Sequence, residues 1–171
     1  MAFIVETGSG VVGANSYVTT AFADAYFAID VNFAATWDDT DAEVKQQRLQ
    51  WATRILDQKV TWRGTKATDS NPLRWPRAGV FDRDGVVVLS TVIPEQLKQA
   101  VCELVKLTTE VDPTTSQGGD ALKRLSVDVI EIEYQDDVVQ AEAPPILNQI
   151  LRGLGSYPTS GGHQFARIIK A

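Results

Sequence analysis

From Val60 to Ser90 the chain passes through Gly64, Pro72, Pro76, Gly79 and Gly85 with no sustained helical period. Punctuation of that kind predicts a long ordered loop. The stretch lies between two segments whose apolar residues do recur at helical spacing. Before it, Val44, Trp51, Ala52, Ile55 and Leu56 predict a helix to about Lys59, opened by the capping-box pair Thr40 and Glu43. After it, Leu97, Ala100, Val101, Leu104, Val105 and Leu107 predict a second helix running to about Val111. Pro94 opens that helix, because its fixed φ suits the first helical position.

The rest of the chain supplies shorter elements. Phe3 to Glu6 reads as a strand before the glycine-rich "TGSGVVG". A helix starting near Thr20 would carry Phe22, Tyr26 and Ile29 on one side. "DRDG" predicts a turn into the short strand "VVVLS", and "DPTTSQGGD" a flexible break. Alternation from Val127 to Tyr134 predicts β structure, a hairpin turning near Asp128. Ile146, Leu147, Ile150 and Leu151 form the stripe of a last short helix. The expected fold is mainly α (α+β): a small helical bundle with a short β-hairpin and an extended C-terminal tail. Residues 1–155 would form the bundle domain and 156–171 the tail.

Composition narrows the function classes. With 171 residues, 44% hydrophobic and 22% charged, the chain can bury one sizeable core. Its formal net charge of −6 weighs against a protein that lives by neutralising phosphates. Cys102 and His163 are the single residues of their types, which leaves no disulfide framework, thiolate cluster or histidine-based zinc site. No cofactor or metal is expected. No apolar run approaches membrane-spanning length, and "MAFIVETG" lacks the basic and apolar regions of a signal peptide. A cytoplasm-like compartment is the expectation.

Several motifs have structural explanations. Gly8, Gly10 and Gly13 spell G-x-G-x-x-G, with Asp30 near the place of a ribose-binding acid. A dinucleotide site needs a helix opening at the third glycine, and "ANSYVTT" stands there instead. Turn-forming glycines are the better account. Asp82 and Asp84 before Gly85 lack the spacing of a calcium loop, since Val-Val-Val-Leu-Ser follows. Cys102 lies among apolar helix positions, and no carboxylate pair is singled out by its setting. No enzyme is expected.

"NPLRWPRAGVFDRDG" is the feature that structure alone can interpret. It sets Arg74, Arg77 and Arg83 around Trp75 and Phe81, with Trp62 and Arg63 upstream. Basic and aromatic residues interleaved in this way suit a single-strand stacking platform, and they equally suit a well-anchored structural loop. Residues 63–85 carry net +2 and residues 120–142 net −5. That polarity suits copies of one chain meeting side to side.

The segments "VETGSGVVGANSYVTTAFADAYFA", "ATRILDQKVTWRGTKATDSNPLRWPRAGVFDRDG" and "IPEQLKQAVCELV" together resemble a family of tailed-bacteriophage proteins. Its members are often labelled DnaT-like single-stranded-DNA-binding proteins, and they also resemble the head-to-tail connector (adaptor) proteins of long-tailed phages. The resemblance rests on Gly8 to Tyr17, Leu56-Asp57, Trp62-Arg63-Gly64, Asn71 to Arg77, Asp82 to Gly85 and Ile93-Pro94, within residues 5–111. It implies a structural virion protein without catalytic activity, forming a dodecameric ring under the portal protein. Tail or neck proteins would attach to the ring, and genomic DNA would pass through it without specific binding. The protein would reside at the head–tail junction of the virion after assembly in the host cytoplasm, with no membrane involved.

On that reading Trp62, Arg63, Trp75, Pro76, Arg77 and Arg83 anchor the loop or a neighbouring subunit. His163, Phe165, Ile168 and Ile169 form a portal-docking tail, and Glu131, Glu133, Asp136 and Asp137 face an acidic lumen. The alternative is a single-stranded-DNA-binding accessory protein that uses Trp62, Trp75 and the nearby arginines.

Overall fold

The computed structural model describes residues 2–110 and 145–158. The expected hairpin at 127–134, the acidic residues Glu131, Glu133, Asp136 and Asp137, and the tail residues His163, Phe165, Ile168 and Ile169 lie outside the described residues.

Helix α1 spans Thr20–Phe27, and Thr19 caps it by accepting the Phe22 amide on its hydroxyl at 3.1 Å. The helix ends before Ile29, which is 83% exposed and not part of the expected stripe. A short helix that the periodicity did not predict, α2 (Ala34–Asp38), follows at once. It exists to stack aromatics: Phe33 and Trp37 sit 4.8 and 4.7 Å from the Phe27 ring. The Trp37 indole donates to Asp24 at 2.7 Å, so its polar edge is also satisfied.

Helix α3 (Ala42–Lys59) buries Leu49, Ala52, Ile55 and Leu56. Its start differs from the expected capping box. Asp41 holds the cap position, while the Thr40 hydroxyl donates back to the Thr36 carbonyl at 2.8 Å and is committed to the preceding turn. Helix α4 (Glu95–Glu110) begins one residue after Pro94, whose carbonyl accepts the Leu97 amide at 3.1 Å. It packs against α3, α1 and the short α5 (Pro145–Ile150).

The residues between α3 and α4 do more than connect. They form β1 (Thr61–Trp62), β2 (Thr65–Lys66), β3 (Arg77–Ala78), β4 (Val80–Phe81) and β5 (Val87–Val88). With β6 (Gly155–Ser156) these make three antiparallel two-stranded ladders, β1–β6, β2–β3 and β4–β5. The β4–β5 hairpin turns at Asp82–Gly85, as "DRDG" predicts. The expected strand at Phe3–Glu6 reduces to one bridge, Val5 to Ser16.

A mainly helical bundle is therefore not the architecture. The fold is mixed α and β, with small antiparallel sheets. The physical reason lies in the core, where Tyr17, Leu73, Trp75, Val80 and Ile93 from non-helical backbone are as deeply buried as the helix stripes. The loop packs its apolar side chains into the same core as the two long helices, and it satisfies its amides by pairing with itself and with β6.

Candidate functional site

Of the interleaved arginines and tryptophans, Trp75 and Arg77 turn inward, Trp62 is half-buried, and Arg74 is exposed. Trp75 is fully buried, its ring 5.9 Å from Trp62 in an edge-to-face pair, and the Trp75–Pro76 peptide is cis. Pro76 and Arg77 are buried with it, and Trp62 is half-buried. Arg77 spends its guanidinium on the backbone: it donates to Arg63 O and Gly64 O at 2.6 Å each and to Arg74 O at 3.2 Å. Gly64 makes this possible. At φ +65° a Cβ there would lie 2.2 Å from the Ala78 carbonyl oxygen. Asn71 bridges the same loop, donating to Trp75 O at 2.6 Å. Arg63, Phe81 and Arg83 are exposed.

The glycine-rich loop holds an anion of its own. The Glu6 carboxylate, 2% exposed, accepts the amides of Gly8, Gly10 and Val11 at 2.8 to 2.9 Å. The backbone geometry that cradles phosphate elsewhere is filled here by a side chain of the same chain. Asp82 likewise accepts the amides of Asp84 and Val86 at 2.9 and 2.8 Å, an ordinary turn. Among the described residues no group of three His, Cys, Asp or Glu side chains could hold a metal. Cys102 is buried, its thiol pushed up to about 12 by burial.

The open site lies on the other side of the loop. A cleft of about 610 Å³ runs between the outer face of α3, residues 72–74 and Ala14–Asn15. Trp51 supplies a partly buried aromatic wall that also packs against the core, with the Arg54 guanidinium 4.4 Å from its ring centroid. Arg54, Lys66 and Arg74 give the cleft three cations, and Gln47, Gln50, Gln58 and Asn15 give it polar edges. Helical spacing explains the row, since Gln47, Gln50, Trp51, Arg54 and Gln58 recur at three and four residues. Lys66 is steadied by donating to Asn71 O at 2.6 Å.

Asp57 lies in the same cleft and is fixed from behind. Its Oδ1 accepts the Tyr17 hydroxyl at 2.6 Å, and its Oδ2 accepts the Arg74 amide at 3.0 Å. The Tyr17 oxygen in turn accepts the Trp75 amide at 3.1 Å. Burial moves the Asp57 carboxyl above its ordinary range, although both hydrogen bonds pull the other way. Burial and the Asp57 charge raise the Tyr17 phenol as well.

Sequence reasoning placed Trp51 on a buried stripe and gave Arg54, Asp57 and Lys66 no role in a site. The usable signal was Trp51 with Arg54 at i+3 among glutamines, a helix face too polar to be core.

A family model described as "Putative DnaT-like ssDNA binding protein" matches residues 1–171. No curated protein and no solved structure matches the chain.

Proposed function

The chain belongs to the DnaT-like ssDNA-binding family, and from that premise we propose that it is a single-stranded-DNA-binding accessory protein, binding rather than catalytic, whose strand enters the Trp51 cleft. The observation that carries this reading is the partly buried Trp51 ring at the cleft wall, with Arg54 over it and Lys66 and Arg74 in the same cleft. An indole face stacks any base, and cations track the backbone. Trp62 and Trp75 take no part, since they pack against each other within the subunit.

Three cleft cations in a chain of net charge −6 imply modest affinity. Released counterions set a salt slope of about −2 for three contacts to a single strand. Titration of a labelled oligothymidylate between ~50 and ~200 mM salt tests the reading, because phosphate-driven affinity is greatest at the low end. Binding with that shallow slope supports it. No binding even at the lowest salt removes it.

A second reading keeps the resemblance to phage head-to-tail connectors: a ring-forming virion subunit beneath the portal. One observation favours it. Val86, Val87 and Leu89 stand 62%, 58% and 64% exposed on and beside the β4–β5 hairpin, next to Phe81. Neighbouring exposed apolar side chains mark contact surfaces. Under this reading the tail residues Phe165, Ile168 and Ile169 engage the portal and the acidic residues Glu131 to Asp137 line the channel. Light scattering and electron microscopy with purified portal separate the two readings. A ring seated on the portal favours the connector, and a monomer under all conditions contradicts it.

A further inference from the structure

Resting on the single-strand reading of the cleft, we propose that Asp57 makes the cleft a base-reading subsite that prefers guanine. A carboxylate among Arg54, Lys66 and Arg74 cannot be a phosphate contact, because like charges repel. What it can accept is a donor on a base edge. Among the described residues each Asp57 oxygen receives one hydrogen bond, from the Tyr17 hydroxyl and the Arg74 amide respectively. An ionised carboxylate has about four acceptor sites in all, so each oxygen retains capacity for a second donor.

The two existing bonds also hold the carboxylate still, so a ligand does not have to order it on binding. Guanine presents an imino and an amino donor side by side on its Watson–Crick edge and matches a carboxylate with two bonds. Thymine presents one imino donor flanked by carbonyl oxygens, which a carboxylate repels. Adenine and cytosine present one amino donor each. In a single strand that edge is free to be read. Stacking on Trp51 would bring the base into the cleft that Asp57 also lines.

The test uses the unaltered protein and four labelled oligothymidylates that differ only at one central nucleotide: thymidine, guanosine, inosine or adenosine. Inosine keeps the imino donor and lacks the amino group. The expected result is that the guanosine strand binds roughly 5- to 100-fold tighter than the thymidine strand, the range for two matched bonds, with inosine in between. Asp57→Asn, checked for folding by circular dichroism, should then bind guanosine and inosine strands alike.

Equal affinity for all four strands overturns the base preference while leaving the cleft as a strand site, provided that Trp51→Ala weakens them all. Absence of binding to any strand at ~50 mM salt, where phosphate contacts are strongest, overturns both.

Discussion

Among the described residues Arg77 makes three hydrogen bonds, to carbonyl groups of residues 63, 64 and 74, and none to a carboxylate. Arg77→Ala removes three part-buried hydrogen bonds and should cost about 2 kcal/mol in urea unfolding. Arg77→Lys should recover only part of this, because an ammonium cannot match the spread of three carbonyls. Near-wild-type stability of both variants would refute the clamp. This residue also marks the limit of what was legible. Its type and its neighbours in sequence suited a nucleic-acid contact and a structural anchor equally well. Only the fold decides, because the deciding partners are backbone oxygens, which carry no signature in the side-chain sequence. Asp57 has a pH signature of the opposite sign to most carboxylates. Its folded pKa is raised, so the folded state takes up its proton first on acidification. Stability should therefore gain a contribution as pH falls from neutral toward ~4, the ordinary aspartate value. Asp57→Asn should flatten that segment of the profile, and an unchanged profile would contradict the burial of this carboxyl.

At the scale of elements, the glycine-rich loop is organised by a single carboxylate. Glu6→Gln keeps one oxygen acceptor for three amides, and Glu6→Ala keeps none. Expected losses are about 1 kcal/mol and about 3 kcal/mol, following the cost of buried donors without partners, measured by thermal or chemical unfolding. Equal stability of the two variants would show that the amides find other acceptors. Gly8 reinforces the arrangement. A Cβ at its φ of +109° would lie 2.1 Å from the Thr91 carbonyl oxygen. The elements that were legible are those with a local cause. Helices α1, α3 and α4 follow from apolar period, and the Asp82–Gly85 turn from its aspartates. Helix α2 was not legible, because its only reason is the packing of Phe33 and Trp37 on Phe27, a tertiary contact. The β1–β6 and β2–β3 ladders were missed because strands of two residues have too few side chains to show alternation. Trp51 does pack against the core, as its helical spacing predicts, but the cleft beside it was not legible, because Pro72 to Arg74 reach it from far along the chain.

Across the whole molecule, the basic-aromatic loop and the Trp51 cleft, the proposed strand site, are joined by one hydrogen-bonded network. Trp75, Tyr17, Asp57 and Arg74 form a continuous hydrogen-bonded path from the core to the cleft. The loop that looks like a binding platform in sequence acts from inside, by holding Asp57 and Arg74 where the cleft needs them. An acidic molecule can then present a local basic surface without a basic overall charge. The decisive measurement is the affinity of Trp51→Ala for a labelled oligothymidylate at ~50 mM salt, compared with the unaltered protein. Trp51 is partly buried against the core, so folding of the variant is checked by circular dichroism alongside. The account predicts a loss of roughly 5- to 100-fold, the contribution of stacking one base on an aromatic ring. Equal affinity of the two proteins would contradict the cleft as the strand site.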